Sequence, residues 1–224
     1  MSEARPPRIV LVHAVTVAVD PIREAFDRLW PEAERVNLLD DSLSPDRAKD
    51  SDLTNSLSAR IAALGDYAVL VDADALLYTC SAFGPAIEAV ARRLAIAVLK
   101  PNEAMFAAAL RAGRSLGMLA TFAPSVASME AEFEEERRRL GVDASLRTLL
   151  VEEAMAALKA GDKETHNRLL ATQAAALGGC DAVMLAHFST SRAREAVAAV
   201  VPCPVLTGPD AAVLALREQL RLSL

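Results

Sequence analysis

Aromatic residues are scarce in this chain of 224 residues: they make up 4%, with a single Trp, and Lys plus Arg (24) are outnumbered by Asp plus Glu (30). A net charge of −6 with so few rings argues against nucleic-acid binding, which usually needs a basic face. No apolar run reaches the ~18 residues of a membrane span. The opening stretch "MSEARPPRIVLVHAV" lacks the charged-then-apolar order of a secretory signal, and its apolar run has the length of a strand. Three cysteines, Cys80, Cys180 and Cys203, do not make a disulfide framework. These absences lead to the expectation of a soluble, cytoplasmic protein without nucleic-acid or membrane partners. What is plentiful is aliphatic. Hydrophobic residues reach 53%, above the usual ~45–50%, which is enough for a full core.

Short β-branched runs alternate with Ala/Leu/Arg/Glu segments of helical period. Strands are predicted at Ile9–Val15, Val36–Leu39, Ala75–Tyr78, Ile96–Leu99, Leu116–Ala120, Ser145–Leu149, Ala182–Ala186 and Cys203–Leu206. Helices are predicted at Val17–Trp30, Asp52–Asp72, Pro85–Leu94, Asn102–Ala112, Ser125–Leu140, Glu152–Gly178 (broken at Gly161), Ser191–Val200 and Pro209–Leu222. Such alternation implies an α/β fold with parallel sheets and right-handed crossovers.

The alternation repeats. Shifted by 107, "DALLYTCSAFGPAIEAVA" (Asp74–Ala91) falls on "DAVMLAHFSTSRAREAVA" (Asp181–Ala198), with seven identities in eighteen positions. At the same shift "RIVLVHAVTVAVDPIREAF" falls on "SLGMLATFAPSVASMEAEF", placing Phe26 on Phe133. An unchanged offset across four elements points to an internal duplication. The expectation is two pseudo-symmetric three-layer halves, each with a four-stranded parallel sheet, and an active-site cleft between them. The first half takes residues 1–100 with 211–224, and the second takes 101–210. The repeat also assigns "YAVLV" (Tyr67–Val71), strand-like in composition, to the end of a helix, because its counterpart is "AAALG".

In open α/β sheets ligands bind beyond the carboxyl ends of the strands. Four turns rich in small and polar residues lie there: "HAVT" (His13–Thr16), "TCSAFG" (Thr79–Gly84), "TFAPS" (Thr121–Ser125) and "HFSTS" (His187–Ser191). Each opens a helix, whose unpaired N–H groups favour an anion. Under the shift of 107, Cys80 lands on His187, so two protonic side chains occupy equivalent turns of the two halves. A thiolate is favoured at such a helix start. Zinc would need further Cys or His at ligand spacing, and none is near. Cys180 and Cys203 fall on helix-end and core positions and are read as packing residues. His13 either binds substrate or caps its turn. His166, among charged residues of a helix, is read as solvated. Lys100 is read as a solvated lysine, with neutralisation of a second carboxylate as the alternative.

The stretches "ADALLYTCSAFGPAIE", "VLKPNEAM", "LGMLATFAPS" and "CDAVMLAHFSTS" resemble the aspartate/glutamate/hydantoin racemase superfamily, which includes arylmalonate decarboxylase and maleate isomerase. The resemblance covers essentially the whole chain. It implies a cofactor-independent, metal-free racemase, isomerase or decarboxylase acting on a small anionic or carbonyl substrate, and a possible homodimer. In that family a cysteine from each half serves as acid or base on one face of the substrate. Carried over, Cys80 matches the first cysteine and Ser81, beside Thr79, the neighbour that helps bind the substrate carboxylate. Thr121 and Phe122 match the turn closing over that carboxylate. His187 stands where the second cysteine belongs, with Phe188, Ser189 and Thr190 following it. This departure makes the pair chemically asymmetric. It suits one-face chemistry as well as racemisation, and it resembles the mirror image of the decarboxylase, which keeps its one cysteine on the other half. Two further readings stay open: a binding protein that lost one thiol, and a cysteine hydrolase with Cys80 as nucleophile.

Overall fold

A computed structural model describes residues 5–50 and 52–222. The chain divides into two compact units, Met1–Pro101 with Ala212–Leu224, and Asn102–Ala211.

In the first unit the chain runs through β1 (Arg8–His13), α1 (Val19–Leu29), β2 (Glu34–Leu39), α2 (Leu43–Arg47), α3 (Asn55–Leu70), β3 (Ala75–Tyr78), α4 (Gly84–Arg93) and β4 (Ala97–Leu99). Its four strands form a parallel sheet in the order β2-β1-β3-β4. The central strands are apolar throughout. Val10, Val12, Leu76 and Tyr78 share a core with Ile61 and Ala68 of α3 and Ile87 and Val90 of α4. The alternate residues Ile9, Leu11, Ala75 and Leu77 are buried as well, so both faces of the sheet are covered, as a parallel sheet requires.

The second unit contains α5 (Glu103–Ala112), β5 (Ser115–Ala120), α6 (Ala123–Arg139), β6 (Ser145–Leu150), α7 (Glu152–Lys159), α8 (Lys163–Ala174), β7 (Ala182–Leu185), α9 (Arg194–Ala198) and β8 (Val205–Thr207). Its sheet has the order β6-β5-β7-β8, also parallel. On one face Leu116, Met118, Ala182 and Met184 share a core with Met105 and Phe106 of α5 and Phe133 of α6. Phe106 and Phe133 meet edge to face at 5.7 Å. On the other face Leu119, Val183 and Leu185 share a core with Ala154 of α7, Leu170 of α8 and Val197 of α9. A final helix, α10 (Gly208–Leu222), begins in the second unit and returns to the first.

The two sheets keep a common register. Ile9 pairs with Ala75 and Leu116 with Ala182, each 107 residues on, and the same offset relates Leu76–Val98 to Val183–Val205. At β2 and β6 the offset becomes 111, where α6 is longer than α1. The shared "DA" before each central strand has a structural cause. Asp74 accepts a hydrogen bond from the Arg8 N–H at 2.7 Å, and Asp181 accepts from the N–H groups of Arg114 and Ser115 at 2.7 and 2.8 Å. Each carboxylate thus ties down the start of the neighbouring strand.

All eight strands lie within two residues of the expected bounds. The long helix does break at Gly161, whose φ of 84° only glycine adopts without strain. "YAVLV" closes α3, as the repeat requires. Gly65 inside α3 has a packing reason: a Cβ there would come within 2.8 Å of Val90 Cγ1 and 3.0 Å of the Tyr78 hydroxyl. The short helix α2 carries no predicted element, because its Ser, Pro and Asp residues read as a loop. Burial of Leu43 against Leu57 and Ile61 holds it in place. Among the described residues no helix is long and apolar enough to cross a membrane.

Candidate active site

Cys80 lies two residues beyond β3, at the entry to a 3-10 turn, Ser81–Phe83, that leads into α4. Its backbone is extended (φ −128°, ψ 124°), and it is half-buried against the core of its unit, outside any disulfide. Ser81 begins the turn and is partly exposed, while Thr79 is buried. Beneath them His13 is fully buried, with both ring nitrogens engaged: Nδ1 lies 3.0 Å from Thr79 Oγ1 and Nε2 lies 2.9 Å from Asn37 Oδ1. Burial pushes the His13 pKa down, and the Asn37 contact opposes that. A substrate contact by His13 would therefore have to displace one of these bonds; in this geometry it braces the turn that carries Thr79. Arg47 of α2 donates from Nε to the Ala82 carbonyl at 3.4 Å, joining that helix to the Cys80 turn.

His187 lies two residues beyond β7 and occupies an unusual conformation, φ 70° and ψ 147°. That combination is close to a region populated almost solely by glycine, and a non-glycine residue held there carries strain on the order of 1–3 kcal/mol. Its Nε2 is 2.7 Å from Ser125 Oγ in the first turn of α6. Its Nδ1 is buried and has no hydrogen-bond partner in the protein. Burial lowers the imidazole pKa to about 4, with the Ala186 carbonyl acting in the opposite direction.

Thr121 occupies the matching place on the adjacent strand, two residues beyond Leu119, which pairs with Leu185. It is buried, and its Oγ1 likewise has no partner. Phe122 enters α6 with an extended backbone and no side-chain cap; Pro124 brings no N–H to the first turn and the Ser125 N–H donates to the Phe122 carbonyl at 3.2 Å, which leaves the N–H of Ala123 open. Phe122 is 46% exposed. Phe188, Ser189 and Thr190 are buried. The Thr190 hydroxyl turns inward onto the carbonyls of Ala186 and, at 2.8 Å, His187, so it braces the strained turn. Ser189 receives the Arg192 guanidinium on its carbonyl at 2.9 Å.

The structure thus gathers His13, Thr79, Cys80 and Ser81 in the first unit, and Thr121, Phe122, His187, Phe188, Ser189 and Thr190 in the second. Two expectations are corrected. His166 is not solvated: it is fully buried, with Nδ1 2.8 Å from Asn167 Oδ1 and Nε2 without a partner, and burial lowers its pKa. One face of α8 packs inward, which the charged neighbours of His166 in sequence concealed. Lys100 is not solvated either, since Nζ pairs with Glu88 of α4 at 2.7 Å. Cys180 and Cys203 are partly buried against the second unit's core, in keeping with packing. Ser125, in the turn "TFAPS", carries no predicted role, because no local motif marks a serine that must meet a histidine 62 residues on. Among the described residues no group of three or more His, Cys, Asp or Glu side chains is placed to hold a metal ion.

The fold recurs in solved structures. Allantoin racemase from Pseudomonas fluorescens is 19% identical, with 97% of this chain and 92% of that chain covered and a TM-score of 0.68. The aspartate racemase of Picrophilus torridus is 14% identical over 95% and 94%, with a TM-score of 0.71. A Gly74Cys mutant of arylmalonate decarboxylase, in its sulfate-associated form, is 16% identical over 95% and 92%, with a TM-score of 0.66. No curated protein matches the chain in sequence. The model of one family, Asp/Glu/Hydantoin racemase, matches residues 14–216. With that match across nearly its whole length, the chain belongs to the Asp/Glu/hydantoin racemase family and is an enzyme of the racemase type.

Proposed function

We propose that the protein is a cofactor-independent enzyme acting at the carbon next to a carboxylate or carbonyl of a small substrate, with Cys80 and His187 addressing opposite faces of that carbon. The observation that carries this reading is His187 itself, a strained residue whose buried Nδ1 is left unpartnered. Strain and an unsatisfied buried polar atom both cost stability, and such costs persist where a ligand or reaction uses them. The equivalent placement of Cys80, two residues beyond the matching strand, supports pairing the two.

The alpha proton of a carboxylate is very weakly acidic, so the site must stabilise an enediolate. Two donors serve that charge: the Thr121 hydroxyl, which has no partner within the protein, and the N–H of Ala123, the first residue of α6. Anionic substrate beside His187 raises the basicity that burial suppresses. In proton abstraction, Nδ1 takes the alpha proton and becomes imidazolium. The Cys80 thiol then delivers its proton to the other face of the carbon and becomes a thiolate. In decarboxylation the electrons of the breaking C–C bond stay on the alpha carbon, carbon dioxide leaves, and Cys80 supplies the proton. The asymmetry of the pair favours the second, one-face chemistry, because imidazole and thiol are not interchangeable bases.

Incubation in deuterated water with a panel of 2-substituted carboxylates, hydantoins, malonates and unsaturated diacids tests the proposal. Deuterium is expected at the substrate carbon with the parent protein. If no panel member exchanges or reacts, the catalytic reading falls in favour of ligand binding. If the parent equilibrates both enantiomers of a substrate, one-face specialisation is wrong and His187 is a second racemisation base.

A further inference from the structure

Ser125 has one hydroxyl proton and two neighbours that compete for it. Its Oγ is 2.8 Å from the Phe122 carbonyl, which can only accept, and 2.7 Å from His187 Nε2. If the proton goes to Phe122, then Nε2 must carry the hydrogen of the second contact. The other end of the ring leads to the same assignment. The Ala186 carbonyl acts on the ring but does not meet Nδ1 in hydrogen-bond geometry; Nδ1 is buried with no partner, and an orphaned N–H is a rarer, more costly defect than an under-used lone pair. A neutral imidazole has one hydrogen to place, and Nε2 is where it finds an acceptor.

We propose that Ser125 is a positioning residue that holds His187 as the Nε2–H tautomer, leaving the Nδ1 lone pair as the proton-accepting atom. This assignment gives direction to the chemistry and in that respect rests on the proton-abstraction branch of the proposed function, since decarboxylation with protonation by Cys80 takes no proton to His187. In the resting enzyme His187 has no proton to give from Nδ1, so it enters the cycle as a base. When Nδ1 takes a proton, the Nε2–H bond to Ser125 is kept, and the chain from Nε2 through Oγ to the Phe122 carbonyl stabilises the imidazolium. The same bond ties the strained His187 turn to the first turn of α6, beside Thr121, so ring orientation and anion-binding end are set together.

Nitrogen-15 NMR of the full chain labelled at histidine tests this without any substrate, with the His187 signals assigned by their loss in His187→Gln. The parent should show a protonated Nε2 and a bare Nδ1. Ser125→Ala should shift His187 toward a tautomer mixture and leave the His13 and His166 signals in place, while Ser125→Thr, which keeps a hydroxyl, should restore the parent pattern. Where turnover is measurable, Ser125→Ala should lower kcat by roughly tenfold or more with KM little changed, since a tautomer error affects proton transfer rather than binding. A parent with Nδ1 protonated, or a tautomer unmoved in Ser125→Ala, would overturn the proposal. Should the tautomer respond as expected while no substrate reacts with any variant, Ser125 keeps its positioning role and the catalytic reading alone fails.

Discussion

The two units share a frame and part ways at the ends of their central strands. Strand order, register and the carboxylate that ties each strand start are common to both. Beyond the strands, the first unit buries His13 with both nitrogens bonded to Thr79 and Asn37. The positions matching His13 and Thr79 in the second unit are Ala120 and Ala186, and the residue at the register position of Asn37 is Thr148, whose Oγ1 is buried without a partner. Cys80 sits in relaxed, extended backbone, and His187 sits in a strained one. Among the described residues, the buried side-chain N and O atoms without a partner, Thr121 Oγ1, Thr148 Oγ1, His166 Nε2 and His187 Nδ1, all belong to the second unit. A shared sheet frame can therefore carry saturated strand ends in one unit and open ones in the other, depending on which strand-end groups are already bonded.

The largest expected break in this comparison is chemical. If the two strand ends act on one carbon, Cys80→Ser should lower turnover by roughly a thousandfold, or ~4 kcal/mol of barrier, because a hydroxyl is a far poorer acid and base. Substrate affinity, measured by titration calorimetry, should stay within about tenfold. Equal turnover in the variant would make Cys80 a packing residue and leave His187 to act alone.

Acid stability separates the units next. The His187 pKa lies at about 4 in the folded protein against 6.5 when exposed, so the unfolded chain binds the extra proton first. Stability should be full above about pH 6.5 and fall by roughly 3 kcal/mol as the pH drops toward 4. The lowered pKa values of His13 and His166 act in the same direction. Urea unfolding at stepped pH should show this loss, and His187→Gln should remove its largest share. A flat profile over that window would contradict burial of neutral histidines.

His13→Ala should destabilise the first unit by about 2 kcal/mol, since it removes a fully buried ring and orphans Thr79 and Asn37. Equilibrium unfolding would check it, and an unchanged midpoint would show that the network is dispensable. The smallest effect comes from backbone strain alone. His187→Gly and His187→Ala should both abolish activity and both lose the ring and its bond to Ser125, yet the glycine variant should be the more stable of the two by about 1 kcal/mol, because glycine adopts φ 70° without strain. Were the alanine variant as stable as the glycine one, the strain at His187 would be fictitious and the contrast with Cys80 would lose its backbone component.

Much of this was legible in the chain itself. The period of apolar residues placed the strands because burial on both faces of a parallel sheet demands uninterrupted Val, Ile, Leu and Ala, as in "ALLY" and "AVML". The offset of 107 paired Cys80 with His187, since a repeated frame repeats its register. The short α2 escaped notice because one buried Leu43 in a polar stretch gives no period to read. The environments of the histidines were hidden for a different reason. Whether His166 faces the core, whether His13 spends both nitrogens on Thr79 and Asn37, and whether Ser125 reaches His187 all depend on contacts between residues far apart in the chain. Sequence therefore determined which residues stand at the strand ends. Tertiary structure decided which of their polar atoms are already bonded and which remain open to a ligand, because hydrogen bonding is settled by distances of a fraction of an ångström that no spacing rule encodes.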